Sequence, residues 1–333
     1  MDRVKTINPD WLGKLKPYME PSVTSALIQI GTSFLTYIAL MAFMIYLMIQ
    51  EYPYWMVLIL SVPTAGLYTR VFIIFHDCCH YSFFKSRKAC DLFGNFLGIV
   101  MFTSFYDWQK SHNIHHATVS NLDKRGYGDV WTITVKEYQS FSKMRKLQYR
   151  IMRNPFFLFG LAPSLLFLFL NRFPGGYSGK KEIFSLILTN VLIACVIALA
   201  YVTIGLKIYI MVQLPVLILG ATFGMWLFYI QHQFKNVYWA RAEDWNIFRA
   251  AMEGSSYYKL QPVLRWFSGN IGYHHIHHLR PKIPNYNLKK CYDEIGELQE
   301  ITPVTLYSSF KSLNLRLYDE EAGQLVSFGS LKN

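Results

Sequence analysis

From residue 23 to residue 50 the chain carries no charged side chain at all. At about 1.5 Å of rise per helical residue, such a segment is more than long enough to cross a hydrocarbon core roughly 30 Å thick. Residues 54–75 form a second stretch of this kind, returning after the short Gln50-Glu51-Tyr52-Pro53 turn, with Arg70 as its only charge and placed to snorkel toward one end. Residues 184–205 and 208–231 make another pair, joined around Lys207, and neither contains Asp or Glu. A backbone inside a bilayer must satisfy its hydrogen bonds within itself, so these four segments are expected to be helices. The composition agrees, since 52% apolar and 17% aromatic residues make the chain greasier than an ordinary soluble domain. The expectation is one domain over residues 1–333: an all-α integral membrane protein with four spans. The first span follows some twenty mostly polar residues instead of a short basic leader, and is expected to be retained.

All ten histidines fall in four places: His76 and His80 in HDCCH, His112, His115 and His116 in HNIHH, His232 alone, and His274, His275, His277 and His278 in HHIHH. Residues three and four apart share a helix face, so each cluster aims two or three imidazoles in one direction. Eight or nine converging rings exceed what one six-coordinate ion accepts, and imidazole suits iron, zinc and copper, so two metals are implied. His115 and His116 lie roughly 100° apart on a helix and can each serve a different ion. A lone histidine such as His232 is ordinarily a hydrogen-bonded core residue, but this one closes the fourth span on the side where the clusters meet. Asp77, Asp129 and Asn270 each lie near a cluster and are candidates to accept imidazole N–H groups. For Asp129 a turn role in Gly126-Tyr127-Gly128-Asp129 is an equal alternative. The five cysteines are odd in number and form no CxxC pair, which speaks against a disulfide framework or a zinc knuckle. They are expected to be reduced thiols, with Cys78 and Cys79 packing inside the first cluster.

A shared site constrains the topology. If residues 89–106 crossed the membrane, His76 and His80 would be parted from His112, His115 and His116. The same parity holds between His116 and His274. Residues 89–106 and 156–170 are therefore expected to lie in the interface or to dip in and return. Counting charges under this topology is an independent check: of 33 Lys and Arg, 4 precede the first span, 15 lie between residues 76 and 183 and 12 follow residue 231. The positive-inside rule makes that side, with both termini, cytoplasmic. The formal charge of +12 is then explained by topology, and nucleic-acid binding loses its support. Residues 136–153 read as one interfacial helix, with Thr134 and Glu137 spaced as a capping box and Pro155 ending it. Residues 319–333 read as a flexible tail.

The clusters have the form HxxxH, HxxHH and HxxHH, and in this the chain resembles the membrane-bound fatty-acid desaturases. The runs RVFIIFHDCCHYSFF, HNIHHATVSNLDKRGYGDVWT and FSGNIGYHHIHHLRPKIPNYNL are similar to bacterial acyl-lipid desaturases of the Bacillus kind, which act on phospholipid acyl chains and include Δ5 enzymes. The resemblance spans residues 20–310 or so. It implies that His76, His80, His112, His115, His116, His274, His277 and His278 are catalytic ligands, with His232 as one more and His275 on a variable position. It implies two ferrous ions, with dioxygen as the oxidant that removes hydrogens from two neighbouring methylenes and leaves a cis double bond. One departure stands out: Phe228 occupies the place, one turn before His232, where stearoyl-CoA-type relatives have asparagine.

The reaction needs electrons from outside. No GxGxxG follows a strand, and Phe173-Pro174-Gly175-Gly176 only approaches a haem-binding His-Pro-Gly-Gly, so a separate donor, a ferredoxin or flavodoxin, is expected. Such proteins are usually acidic, and Lys124, Arg125, Lys143 and Lys146 offer a complementary surface. Two other readings compete: a related di-iron hydroxylase or ketolase, and a histidine-rich metal transporter. The spans' lack of Asp, Glu and mid-depth histidine argues against the transporter. Sequence leaves open the double-bond position and the choice among phospholipid, acyl-CoA and acyl-carrier substrates.

Overall fold

The computed structural model describes residues 10–332, and its main elements are helices. Four are long and apolar enough to cross a membrane: α1 (Val23–Ile49), α2 (Tyr54–Cys79), α8 (Lys180–Thr203) and α9 (Leu206–His232). Between α2 and α8 lie α3 (Arg87–Val100), α4 (Phe105–Thr118), α5 (Val135–Ser140), α6 (Lys143–Met152) and the broken α7 (Phe157–Arg172). After α9 come α10 (Ile247–Met252), α11 (Pro262–Phe267), α12 (His274–Leu279), α13 (Asn285–Glu294) and α14 (Leu306–Ser312). The expected spans are therefore present as helices, α2 running on by about a turn past residue 75 to carry His76 and α9 by one residue to end on His232.

The centre of the membrane bundle is α2 against α9. The contact is close because Gly220 on α9 lies under Tyr68 of α2, where a Cβ would meet the ring at 2.5 Å. Much of α2 is buried, whereas α1 and α8 turn most of their apolar side chains outward, as helices facing lipid do. Arg70 does not snorkel. It is 8% exposed, donates from Nε to Ser33 Oγ at 2.8 Å and from Nη1 to the Trp266 carbonyl, and lies over the Trp266 indole. Those partners satisfy a guanidinium too deeply packed to reach water.

The two ambiguous segments bend. The α3–α4 pair turns by 101° and the α6–α7 pair by 58°. The first bend has a local cause. Phe102 adopts φ 51°, the Thr103 N–H reaches back to the Gly98 carbonyl at 2.8 Å and the Phe102 N–H to Ile99 at 3.3 Å, which closes α3 in a Schellman turn. The same closure ends α2, where Tyr81 has φ 53° and the Ser82 and Tyr81 N–H groups bond Asp77 and Cys78 at 3.0 Å each. Each left-handed residue here bears a bulky side chain, at a cost of about 1–2 kcal/mol that the surrounding packing offsets. The bend at 101–104 points α4 along α8, joined by Ser104 to Ser185 at 3.0 Å, and carries the second cluster back toward the first.

Two further sequence expectations are corrected. Residues 136–153 are not one helix. The Thr134–Glu137 capping box starts α5 as predicted, with reciprocal bonds of 2.7 and 3.1 Å, but Ser142 caps a new helix, α6, by accepting from the Arg145 N–H. The C-terminal stretch is ordered through residue 332: β4 (Leu317–Asp319) and β5 (Gln324–Val326) form a hairpin, and β4 pairs in parallel with β1 (Ile133–Thr134). Its Leu317 is buried against Tyr138 and Tyr149, with Phe328 packed alongside. Its Leu317, Leu325 and Val326 are too short a signal to separate from a polar tail. The other sheet pairs β2 (Tyr258–Lys259) with β3 (Val304–Thr305).

Because a Cβ at Gly98 would meet the Thr103 carbonyl at 2.5 Å, Gly98→Ala must open the α3–α4 bend. It is expected to cost about 1–3 kcal/mol as overpacking. Thermal unfolding in detergent, followed by size exclusion, should show the midpoint lowered by several degrees, and an unchanged midpoint would refute this account of the bend.

Candidate metal centre

The terminal turns of four helices deliver the imidazoles. α2 supplies His76 and His80, α4 supplies His112, His115 and His116, α9 ends on His232, and α12 carries His274, His277 and His278. Their nitrogens gather into two groups. His76, His80, His112, His116 and His277 each place a ring nitrogen within 4.8 Å of the others, and His115, His232 and His278 do the same a short distance away. Within the first, Nε2 atoms are 3.1 Å apart for His76–His277, 3.0 Å for His277–His116 and 3.1 Å for His116–His112. Beside the second, His274 Nε2 stands 3.0 Å from both His232 and His278. His115 and His116 part as their helical phase suggests, one to each group. His275 turns away, with Nε2 facing the Leu298 carbonyl at 3.2 Å, and burial pushes its pKa down to about 4.

Proton accounting tests whether a metal fits. A neutral imidazole has one N–H. His115 donates from Nδ1 to Asp129 Oδ1 at 2.7 Å, and His232 from Nδ1 to the Gly254 carbonyl at 3.2 Å. Both Nε2 atoms therefore present lone pairs, yet they face each other at 3.3 Å. Two apposed lone pairs repel unless a cation lies between them. In the first group His76 is in the same state, donating from Nδ1 to Asp77 Oδ1 at 3.1 Å, and the buried His80 Nε2 has no hydrogen-bond partner. Metal–nitrogen bonds of about 2.1 Å set neighbouring ligands roughly 3.0–3.3 Å apart, the spacing seen here. Five donors around one point also exceed the four of a structural zinc site. Burial, then the neighbouring imidazoles, pushes the pKa values of His112, His116, His277 and His278 well below the ordinary histidine value, which keeps these rings neutral and able to ligate at pH 7.

The residues behind the imidazoles divide unevenly. Asp77 and Asp129 stand where the sequence suggested, and Asp129 serves both its candidate roles, since Oδ2 accepts the Gly126 N–H of the turn at 3.3 Å. Asn270 is a correction. Its side chain hydrogen-bonds no imidazole: its amide donates to the Asn285 carbonyl at 3.1 Å, and at φ 59° it forms, with Gly269, the left-handed turn that leads into α12. The residue that acts in its stead is Asn285, whose N–H and side-chain amide donate to Asp77 Oδ2 at 2.7 and 2.8 Å, with Gln29 bonded behind it. Asn285 is 208 residues from Asp77 in sequence, and no spacing rule could have paired them. Phe228 packs its ring against His115 and His232 at 5.5 and 5.3 Å, an apolar lid where a polar group would otherwise reach the second group. Cys78 and Cys79 are buried packing residues outside both groups.

A cavity of about 390 Å³ leads to these nitrogens, reaching His76, His112 and His274. Below them its walls are apolar side chains of α2, α7 and α9, including Phe72, Phe167 and Met225. Trp108 stacks on His112 at 4.3 Å and fixes one wall at the mouth of the metal groups.

Comparison with known proteins agrees with this geometry. Residues 53–308 match the family model described as fatty acid desaturase. The chain is 43% identical to a fatty acid desaturase of Bacillus subtilis, over 95% of this chain and 89% of that protein. It is 27% identical to the sn-1 oleoyl-lipid 12-desaturase of Synechocystis, over 86% and 83% of the two chains, and 26% identical to the sn-1 acyl-lipid omega-3 desaturase (ferredoxin) of Nostoc, over 69% and 64%. The chain belongs to the fatty acid desaturase family, membrane oxidoreductases of lipid acyl chains.

Proposed function

We propose that this protein is a dioxygen-dependent, di-iron acyl-lipid desaturase that places a cis double bond in the acyl chains of membrane phospholipids. The observation that carries the reading is the pairing of two imidazole groups with a narrow apolar cavity that ends on them. Relatives named for lipid-linked acyl substrates support it. His76, His80, His112, His116 and His277 would hold one iron, and His115, His232, His274 and His278 the other. When bound, the two ions supply the redox chemistry by which dioxygen is reduced to water as two hydrogens leave the acyl chain.

The chain's own residues do the rest. Asp77 and Asp129 hold the Nδ1 protons of His76 and His115, fixing both rings with Nε2 free to ligate. The cavity walls exclude water and align a methylene chain that offers no hydrogen-bonding handle, so placement relies on shape. Among the described residues both imidazole groups lie at the ends of α2 and α9 on one side of the bundle. That side is assigned to the cytoplasm by the charge distribution, with both termini, α3–α4 and α6–α7 on it. Electrons arrive from a separate acidic carrier, a ferredoxin or flavodoxin, in keeping with the ferredoxin named for the Nostoc relative. Of the candidate docking cations, Lys124 and Lys143 are exposed, Arg125 is engaged by Glu137, and Lys146 donates to the Gln139 carbonyl.

Three outcomes follow. Fatty-acid profiling of a bacterium lacking desaturases should reveal a new monounsaturated acid with the intact chain and none with His277→Ala, whereas hydroxylated lipid would move the protein to the hydroxylases. Asp129→Asn should weaken retention of one metal equivalent about 10–100-fold, read by chelator competition and elemental analysis, and retention of both at wild-type strength would remove Asp129 from the site. Lys124→Glu with Lys143→Glu should raise KM for the reduced carrier about tenfold at low salt and leave kcat unchanged, and an unchanged KM would place docking elsewhere.

A further inference from the structure

The segment that leads into the third histidine cluster does not rest on the end of the bundle. After β2, residues 260–267 pack along the side of α2. The Phe267 ring lies on Gly66, where a Cβ would meet it at 2.7 Å, and Gly269 sits against Ile73, where a Cβ would lie 2.9 Å from the side chain. Trp266 is held by Arg70, which donates to its carbonyl and lies 4.3 Å over its indole, while Nε of the same guanidinium bonds Ser33 of α1. Gly66 is ten residues from His76 on α2, so the Phe267 ring reaches a level about 15 Å beneath that imidazole. Counted from Tyr54, where α2 begins, Gly66 stands about 18 Å and Arg70 about 24 Å into a hydrocarbon core roughly 30 Å thick.

The surface around this seat faces lipid. On the same stripe of α2, at three- and four-residue spacing, Ile59 and Val62 are 61% and 51% exposed, and the stripe continues through Gly66 to Arg70 and Ile73. The segment covers the upper half of that stripe and turns its own apolar side chains outward: Val263, Leu264 and Trp266 are 66%, 42% and 39% exposed. In water such a patch is unfavourable, whereas among acyl tails it continues the lipid-facing belt of α1 and α2. The backbone is equipped for that setting. α11 opens on Pro262, which has no N–H to leave unpaired, and the carbonyls of Gln261, Leu264, Arg265 and Trp266 accept from the N–H groups of Arg265, Ser268, Asn270 and Gly269 at 2.8–3.1 Å. Arg265, the one charge in α11, is partly buried and long enough to snorkel.

We infer that α11 is a membrane-inserted wedge: residues 260–268 lie among the acyl tails of the leaflet on the imidazole side, seated on α2 and anchored there by Arg70. Its partner is lipid hydrocarbon, met by Val263, Leu264 and Trp266. The wedge passes through Gly269 and Asn270 directly into α12, so His274, His277 and His278 are hung from an element fixed in the bilayer and not from a surface loop. Arg70 is thereby a positioning residue for the third cluster, acting through Trp266.

The test places the full chain in phosphatidylcholine vesicles with its exposed cysteine removed by Cys195→Ser, the other four being buried, and attaches one nitroxide through Val263→Cys. Power-saturation paramagnetic resonance then reads collisions of the label with oxygen and with a water-soluble nickel chelate. Labels introduced by Val62→Cys, on the lipid face of α2, and by Glu321→Cys, in the exposed hairpin turn, give the hydrocarbon and water references. The Val263 label should match the Val62 reference, with nickel collisions at least about fivefold below those at Glu321, as a place inside the hydrocarbon core demands. Nickel collisions equal to those at Glu321 would put α11 in water and overturn the inference. Arg70→Ala, in protein that elutes as the intact chain does, should raise nickel collisions at Val263 about twofold or more as the wedge loses its anchor and moves toward the headgroups. A label that stays equally deep without Arg70 overturns the anchoring role given to that residue.

Discussion

Apposed imidazole lone pairs are the constraint on which the rest of this structure depends. His115 and His232 each spend their one proton on a fixed acceptor and then face each other at 3.3 Å through unprotonated nitrogens. Left to themselves these rings would turn apart. Such an arrangement is stable only with cations in it. The packing of α2, α4, α9 and α12 therefore acts as a preorganised cage, and a metal bound there would add to the stability of the fold.

The turns beside the histidine-bearing helices serve that convergence. A straight helix through residues 87–118 would carry His112, His115 and His116 away from His76 and His80, and the Schellman turn at Phe102 prevents it. The turn closing α2 at Tyr81 keeps His80 at the helix end beside its partners. The left-handed pair Gly269 and Asn270 reverses the chain into α12, and Gly269 sits so close to Ile73 that a Cβ would lie 2.9 Å from its side chain. Strain accepted at these positions is set against burial of the surrounding core, and the imidazoles inherit a rigid placement that flexible loops could not give.

The same helices that hold the metal groups shape the cavity. α2 and α9 approach closely at Tyr68 and Gly220 and leave an apolar slot that leads toward the imidazole-bearing ends, with α7 along its side. Depth in the slot is thus tied rigidly to distance from the imidazoles, which is what positional selectivity on a featureless hydrocarbon requires. Phe228 lines the slot and packs its ring against His115 and His232 behind it.

The sequence by itself determined the membrane class, the four apolar helices and the convergence of the histidine clusters, because the bilayer imposes a length on charge-free segments and the helix imposes a face on HxxxH spacing. It also placed Asp77 and Asp129, whose partners lie 1 and 14 residues away. Tertiary structure alone decided what depends on long-range packing. Asn285 and not Asn270 supports the first cluster, Arg70 is bonded inside the bundle, residues 136–153 break at Ser142, and the last residues form a hairpin over Tyr149. In each case the deciding contact joins residues far apart in the chain or replaces one helix cap by another of similar strength. Spacing rules carry information only along a single element, whereas these choices were settled by which elements came to lie side by side.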